Sequence, residues 1–521
     1  GSDAKLIQGD DGNPYLVSFA AKTLQIVISK IANFVPAGGI WLNTQRPEWN
    51  DANNALAGYG LSVVTLCYLY RYISQLAEIF SNTEVKSVIL PAALKKCFCD
   101  LTALYSSTDA ENTAKDDAKR KAFVEKAGLI FEAERNEFYR NGYAGEEEMN
   151  CSEIAAALKI INHHMEYTIR LNKREDGLYH SYNTLLITEN GMKVEYLQEM
   201  LEGQVAILSS NLLSPEEALE LTKALRNSRM YEPRQNSYML YPNKELPAFY
   251  NKNCIDAGEV ANLSTLIART GSLYLEKDIN GNYHFNPDFR NANVMESFIE
   301  AQNCENAPTA AEKKELFALY EKTFNHQSFT GRSGTFYAYE GLGSIYWHMC
   351  SKLLLAVQEN LLKAYAQNKA ELAVKLTEAY YEVRKGLGSN KTPEVYGAFP
   401  QDPYSHTPFH QGAKQPGMTG QVKEEVLTRW GELGITIEGG IASFNPLFLK
   451  KSEIKEDGTL NFTWCGVPVT YRFTKGVENY VSVDGCKRKG TALTETETKD
   501  LFLRQGKISA IEVELGSAFG I

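Results

Sequence analysis

Two kinds of apolar periodicity divide this sequence near Gly434, and they limit the folds that it can adopt. Before Gly434, apolar residues recur with helical spacing in successive segments, as in residues 13–35 and 56–80. After Gly434, short runs alternate apolar and polar residues in the manner of strands, as in residues 467–473. We therefore expect a mainly α protein whose C-terminal part changes to β structure.

The change of pattern predicts two domains, a helical domain over 1–435 and a β domain over 436–521. A Pro- and Gly-rich stretch with aromatic residues, 386–417, precedes the last predicted helix, and so long an irregular loop is usually functional or disordered. Within the helical part, the periodicity predicts further helices over 91–105, 153–171, 214–227, 312–326, a long one ending near 386, and 421–433.

Charge and cysteine usage exclude several classes of protein. The net charge is −10, from 54 basic and 64 acidic residues, which argues against a general nucleic-acid-binding protein. No apolar run has the length of a membrane span. The nine cysteines are odd in number and scattered, so we expect a reducing, cytoplasmic location. Cys97 and Cys99 are the only closely spaced pair, and without a second such pair we expect no zinc site.

The segment 39–54 has a composition suited to sugar chemistry. It places Arg46, Glu48, Trp49 and Asp51 among several asparagines. An indole offers a stacking face for a sugar ring, amides bond hydroxyl groups, and a partly desolvated carboxyl can keep a proton for a glycosidic oxygen. The alternative is a helix entry, with Asp51 or its neighbour as the N-cap of the following helix.

Two further segments combine loops with the start of a predicted helix. The Gly-rich, aromatic loop 329–343 leads to His348, and the turn 416–420 leads into the last helix. Free N–H groups at a helix start favour anions. Taken alone, His348 is better explained as a packed core histidine than as a ligand.

Other polar residues carry weaker signals. His163 and His164 are adjacent in a predicted helix, so they point to different faces, and we expect one to be packed and one exposed rather than a metal pair. The loops 176–183 and 280–290 are rich in polar and aromatic residues. They could line a carbohydrate cleft or be ordinary surface loops.

Three separated segments together resemble one family. Glu48-Trp-Asn-Asp-Ala-Asn-Asn54 resembles an Asp-Trp-Asn-Asp-Gly-Met-Asn segment, and Tyr339-Glu-Gly-Leu-Gly-Ser-Ile-Tyr-Trp-His348 resembles Glu-Asn-Gly-Gly-Gln-Tyr-Thr-His. Asp402-Pro-Tyr-Ser-His-Thr-Pro, followed by Met418-Thr-Gly420 and Leu433-Gly-Ile435, is similar to Asp-Val-Tyr-Ser-x-Pro-Pro, Tyr-Thr-Gly and Leu-Gly-Ile. These patterns belong to the inverting glycoside phosphorylases of the cellobiose phosphorylase type (glycoside hydrolase family 94).

The resemblance implies a fold and a set of roles. The fold would be an (α/α)6-barrel-like helical domain followed by a small C-terminal β-sandwich-type domain. Asp51 would be the general acid, and His348, Thr419 and Gly420 would hold phosphate, which is the co-substrate; no other cofactor and no metal are implied. We assign contacts with an oligosaccharide substrate to Arg46, Glu48, Trp49, Glu340, Trp347, Tyr404 and His406.

The sequence also departs from the family pattern. Glu48 stands where the family has aspartate, and the helix after Gly420 is more charged. The separation between Asp51 and His348 is unusually long, so we expect an insertion around 100–310. Because fifty residues precede Asp51, the barrel would be incomplete in this chain, which would then be the C-terminal part of a longer protein. An N-terminal portion of the same protein or a homodimer would supply the remaining walls.

The function implied by the resemblance is inverting phosphorolysis of a β-glycosidic bond in a di- or oligosaccharide. One alternative is an inverting hydrolase with Glu340 as the base, since water, unlike phosphate, must be activated. A second is a non-catalytic carbohydrate-binding or scaffold module that kept the fold. A third is an unrelated enzyme that uses the Thr419–Gly420 turn to bind a phosphorylated substrate.

Overall fold

Helices dominate the protein, which confirms the mainly α prediction. The computed structural model describes residues 12–43, 56–142, 145–242, 248, 251–324, 329–330, 336–337, 345–387, 406–407 and 419–516. For 329–330, 336–337, 346–347, 406–407 and 419–423 it describes the backbone alone.

The helices in these ranges are numbered in chain order. They are α1 Phe19–Ile31, α2 Val63–Asn82, α3 Ala92–Ser106, α4 Ala110–Lys115, α5 Asp117–Asn141, α6 Cys151–Leu171, α7 Leu201–Ser209, α8 Pro215–Arg226, α9 Ser264–Thr270, α10 Ala292–Glu300, α11 Ala310–Phe324, α12 Trp347–Ala366, α13 Ala370–Lys385, α14 Thr419–Glu432 and α15 Glu495–Leu503.

The strands are short in the helical part and longer after α14. They are β1 Phe34–Val35, β2 Gly39–Trp41, β3 Gly60–Ser62, β4 Ser87–Pro91, β5 Glu146–Asn150, β6 Tyr182–Ile187, β7 Met192–Tyr196, β8 Tyr231–Glu232, β9 Ser237–Tyr238, β10 Leu275–Lys277, β11 Tyr283–Phe285, β12 Phe329–Thr330, β13 Phe336–Tyr337, β14 Ile345–Tyr346, β15 His406–Thr407, β16 Ile435–Glu438, β17 Ile441–Phe444, β18 Thr459–Trp464, β19 Val467–Phe473, β20 Tyr480–Val483, β21 Cys486–Lys489 and β22 Ile511–Leu515.

A first hydrophobic core joins α1–α3, α5–α8, α12 and α13 with a five-stranded sheet of order β1-β2-β3-β6-β7. Each helix contributes one apolar stripe, as α2 does with Leu66, Leu69, Ile73 and Leu76, because residues three or four apart share a helix face. His164 is buried in this core and His163 is exposed, which confirms the prediction for that pair.

The long helix predicted up to Gly386 is wrong in one respect, because it is two helices. Asn368 adopts a positive φ of 56°, which ends α12, and Lys369 N–H then donates to the carbonyl of Ala364 at 3.0 Å. A left-handed residue at this position is a common way to end a helix. The chain reverses there, so α12 and α13 form an antiparallel hairpin.

A second core covers the residues after α14. Strands β18-β19-β22-β20-β21 form one sheet in which β19 and β22 are parallel, and β16 and β17 form a separate hairpin. The sequence prediction missed β21, whose four residues are mostly exposed, and α15, although Thr494 and Glu497 form a capping box at its start.

A third core is built from residues between Ile255 and Tyr320, with α9, α10, α11 and the β10–β11 hairpin. Residues between 100 and 240 share the first core instead. The region for which an insertion was expected therefore includes residues that belong to two different cores.

Glu134 on α5 is a buried carboxyl group whose polar neighbours include Cys97 and Gln25. Its side chain is 5% exposed, and burial raises the pKa of this carboxyl from 4.5 to about 7. Between those two values the unfolded chain releases the proton while the native protein retains it. The free energy of unfolding must therefore decrease as the pH rises through this window.

We predict that Glu134→Gln removes this pH dependence. Relative to the wild type, the variant should gain about 3 kcal/mol in the free energy of unfolding between pH 4.5 and pH 7.5. Urea unfolding at several pH values measures the difference. Glu132→Gln, at an exposed position of the same helix, is the control and should follow the wild type. Parallel curves for the wild type and Glu134→Gln would contradict the prediction.

Candidate functional site

Helices α2 and α7 begin together and run in the same direction. The N–H of Val63, the first residue of α2, donates to the carbonyl of Ser181 at 3.0 Å, and the N–H of Gly203 in α7 donates to the Ser181 hydroxyl at 2.8 Å. Two turns along α2, Arg71 donates to the carbonyl of Ser209 at the end of α7 at 2.8 Å. Their N-termini therefore lie at the same end of the core.

Helix α12 begins at this end as well. Met239 forms a β-bridge with Ile345, directly before α12, and the carbonyl of Leu240 accepts from the N–H of Leu201 at the start of α7 at 2.7 Å. At the other end, Asn360 donates to the carbonyl of the penultimate residue of α7 at 2.8 Å. Three helix N-termini, each with a partial positive charge, thus lie at one end of the core.

The residues that flank the segment around Asp51 lie at the same end. Leu42 N–H donates to the carbonyl of Gly60 at 2.8 Å, and Gly58 N–H donates to the carbonyl of Leu42 at 2.6 Å. Strand β3 then leads directly into α2. Asp51 itself lies outside the described residues. The residues on either side of its segment, Leu42 and Gly58, lie close to the start of α2.

The predicted start of this helix is wrong. The sequence pattern placed a helix from Leu56, with Asp51 or one of the asparagines near it as the cap. In the structure, α2 begins at Val63, and the Ser62 hydroxyl caps it by accepting from the N–H of Thr65 at 2.9 Å. Apolar residues of β3 had been counted into the helical periodicity, because a three-residue strand is too short to show its own period.

A set of buried polar side chains holds the turn Pro36–Gly39, which leads into the same segment. The carbonyl oxygens of its first three residues accept from Arg120 Nε at 2.8 Å, Asn172 Nδ2 at 3.0 Å and Asn183 Nδ2 at 2.8 Å, in that order. The hydroxyl of Thr168 accepts from the N–H of Ala37 at 3.1 Å. Since these side chains are buried, the turn is tied to α5, α6 and β6 by bonds that water does not replace.

The second and third segments of the resemblance meet in a short β ladder. Tyr346 pairs with His406 and Ile345 with Thr407, antiparallel, directly before α12. His348 lies in the first turn of α12, where its side chain is half-buried and its carbonyl accepts from the Ser351 hydroxyl at 3.0 Å. The backbones of Trp347, His348 and His406 are therefore neighbours.

Helix α14 begins with Thr419 and Gly420, two residues earlier than predicted, so both belong to its first turn. The helix packs against α12, since Gln358 donates to the carbonyl of Thr428 at 2.7 Å. This contact joins α14 to the helix that carries His348.

The remaining predicted site residues are not tested by these contacts. Six of them lie outside the described residues: Arg46, Glu48, Trp49, Asp51, Glu340 and Tyr404. For Trp347, His406, Thr419 and Gly420 the backbone position is described and no more.

The loop 176–183 connects several elements of the first core, because Ser181 binds the starts of α2 and α7 and Asn183 binds the turn Pro36–Gly39. Beside it, the ring of His180 stacks on Tyr196 with 4.4 Å between centroids, and burial, with a contribution from Arg174, lowers the pKa of His180. The imidazole is therefore neutral near pH 7 and offers a polar edge at this end of the core. The polar and aromatic composition of the loop 176–183 was the sequence signal that singled it out. The loop 280–290 lies in the third core.

Among the described residues, no group of three or more His, Cys, Asp or Glu side chains could hold a metal ion. Within the same ranges, no helix combines the length and the apolar composition that crossing a bilayer requires.

The comparisons with known proteins connect the third core to carbohydrate enzymes. Residues 246–327 match the family model described as GH149 phosphorylase insertion domain 2. No curated protein matches the chain. The match supports a glycoside phosphorylase family and does not point to family 94 in particular. It covers the residues that form the third core and overlaps the C-terminal part of the region, around 100–310, where the sequence predicted an insertion.

Gly39 illustrates how tightly this end of the core is built. Its φ is +125°, and a Cβ atom there would lie 2.8 Å from the backbone carbonyl of Ser62. We predict that Gly39→Ala lowers the free energy of unfolding by at least about 2 kcal/mol, because neither the φ angle nor the backbone contact can be relieved locally.

Gly128 provides the matched control. It lies in α5, and a Cβ atom there would meet nothing within 4 Å. Gly128→Ala should raise the free energy of unfolding by up to about 1 kcal/mol, since alanine is the better helix former. Urea unfolding of both variants checks the pair, and equal effects on stability would contradict the account of Gly39.

Proposed function

We propose that this protein is a glycoside phosphorylase that cleaves a β-glycosidic bond of a di- or oligosaccharide with inorganic phosphate and inversion at the anomeric carbon. The observation that carries the proposal is the β14–β15 ladder, because it joins two of the three family-like segments at the start of α12. The flanks of the first segment, around Asp51, lie at the same end of the core, and residues 246–327 match a phosphorylase insertion domain.

In the proposed reaction, Asp51 is protonated and donates its proton to the glycosidic oxygen. A phosphate oxygen attacks the anomeric carbon from the opposite face as the bond to the glycosidic oxygen breaks. The products are an α-glycosyl phosphate and a sugar with a free hydroxyl group. Because phosphate is already an anionic nucleophile, the reaction needs no second carboxylate as a base.

We assign phosphate binding to His348, Thr419 and the N–H of Gly420. The clustering of helix N-termini supports this assignment, since the dipoles of the helices give that end of the core a positive potential, which stabilises a dianion. Such local positive potential matters in a protein whose net charge is −10. The sugar contacts are assigned to Arg46, Glu48, Trp49, Glu340, Trp347, Tyr404 and His406, and the helical part is proposed to be an (α/α)6-barrel-like domain.

The proposal predicts that Asp51→Asn lowers phosphate-dependent turnover by about 10²–10⁴-fold, because an amide cannot donate the proton in the transition state. The full chain is incubated with β-linked gluco-oligosaccharides and phosphate, and the glycosyl phosphate and its anomeric configuration are read by NMR. Asp288→Asn is the control. It changes an exposed residue on the surface of the part of the chain that contains the third core, and it should leave turnover unchanged.

Glu340→Gln separates phosphorolysis from hydrolysis. A phosphorylase with this substitution should keep its requirement for phosphate, although its affinity for the sugar decreases. Release of free sugar without phosphate in the wild type, lost in Glu340→Gln, would instead establish the hydrolase and exclude the proposal. Absence of any turnover with the whole panel would favour a non-catalytic carbohydrate-binding module.

A further inference from the structure

A cavity of about 370 Å³ lies between helices α3 and α5 and strand β5. Its volume falls within the range of sites for small molecules. Ala92, Ala93 and Ala133 line it together with Ile130, and the small alanine side chains leave space between the two helices. This part of the wall is apolar and suits the hydrocarbon part of a ligand.

Glu134 of α5 also lines the cavity, although its side chain is almost completely buried. Both of its carboxyl oxygens are shielded from solvent, and neither forms a hydrogen bond with any described residue. Two other buried carboxylates of this protein are paired, Glu432 with two arginines and Glu202 with the Tyr182 hydroxyl. Because a buried carboxyl group without a partner costs free energy, Glu134 is suited to bond a ligand that enters the adjoining cavity.

A second carboxylate of the same helix faces the cavity beside Glu134. Glu137 follows three residues later, so the two side chains share one helix face and their Cβ atoms lie about 5–6 Å apart. Glu137 is half-buried and accepts a hydrogen bond from the neutral amide of Asn141 at 3.0 Å. An ammonium group has three N–H donors and could therefore bond both carboxylates at once.

The remaining charged groups of the wall already have partners. Lys96 pairs with Asp100 at 2.5 Å, and Glu147 pairs with Lys95 at 2.8 Å. Within the described parts of the chain, the two glutamates of α5 have no cationic partner, so the wall carries an excess of negative charge. This excess favours a cation. The same ranges contain no group of three or more His, Cys, Asp or Glu side chains that could hold a metal ion, which favours an organic cation.

We propose that this cavity binds a small primary amine, whose ammonium group lies between Glu134 and Glu137 and whose hydrocarbon part contacts the alanines and Ile130. The combination of a cavity, a buried carboxyl group without a partner and a second carboxylate one turn away supports this site. The site is independent of the proposed function, because the charges and the apolar wall of the cavity alone select the amine.

The affinity for the amine should depend on the pH, because an ammonium group binds the ionised form of Glu134. Burial raises the pKa of this carboxyl to about 7, whereas the amine stays protonated between pH 6 and pH 8. Cys97, which faces Glu134 from α3, stays a thiol because burial raises its pKa, and Gln25 of α1 does not titrate. With the charged groups of the wall as described above, the affinity should increase about 10-fold from pH 6 to pH 8.

The test is isothermal titration of the full chain with phenethylammonium chloride and n-butylammonium chloride at pH 6 and pH 8, with 2-phenylethanol as the uncharged probe. Glu134→Gln and Glu137→Gln each remove one charge, and Ala133→Leu fills the cavity from an exposed position. Glu132→Gln and Ala122→Leu are the matched controls, because both change exposed residues of the same helix that do not line the cavity.

We expect at least one amine to bind the wild type and both controls alike. At pH 8 its affinity should decrease about 10-fold or more in Glu134→Gln and Ala133→Leu and about 5-fold in Glu137→Gln. Glu134→Gln should also lose the dependence on pH, and unfolding does not explain its loss of binding, since this variant is expected to be the more stable protein at pH 8. Absence of binding by both amines would overturn the inference. Equal affinities in all variants, or binding of 2-phenylethanol as tight as that of phenethylammonium, would overturn it as well.

Discussion

The hydrogen bonds that Asn172 and Asn183 donate to the turn Pro36–Gly39 are the contacts on which the arrangement of the helical part depends. The amides also bond each other, at 2.8 Å, so one buried network joins α6, β6 and the turn. Buried carbonyl groups must be paired, and here side chains rather than regular secondary structure pair them. The position of the turn then determines where β2, β3 and the start of α2 lie.

This network also explains why α2, α7 and α12 begin at the same end of the core. Ser181, two residues before Asn183, binds the first turn of both α2 and α7, and the residues around Met239 extend the contact to α12. An end of the core with several helix N-termini carries a partial positive charge from the helix dipoles. This charge suits the phosphorolysis proposed above, because it would attract phosphate.

The C-terminal part is connected to this framework by well-defined contacts. Tyr380 on α13 and two arginines converge on the buried Glu432 at the end of α14, and Tyr471 of β19 donates to the carbonyl of Leu433 at 2.6 Å. A buried carboxylate needs such partners, and they leave a cavity beside them rather than a closed interface. The same ion pairs therefore stabilise the junction.

Much of the secondary structure could be predicted, because periodicity is local. Helices α3, α6, α8 and α11 begin and end within about three residues of their predicted bounds, and most strands after Gly434 were found. The misses have local causes that compete with periodicity: the left-handed Asn368 between α12 and α13, the short strand β3 before α2, and the capping box of α15. The candidate site was harder to predict from the sequence, because two-residue strands such as β14 and β15 are too short to show a periodic pattern.

The sequence by itself determined the change from helix to strand near Gly434, the net charge of −10, and the segments rich in carboxylates, amides and aromatic rings. These are properties of single residues and their near neighbours. Tertiary structure alone decided that Ile345–Tyr346 pairs with His406–Thr407, that three helices begin together, and that residues 255–320 have a core of their own. The physical reason is that such pairings join residues far apart in the chain, and packing and the pairing of buried polar groups select them.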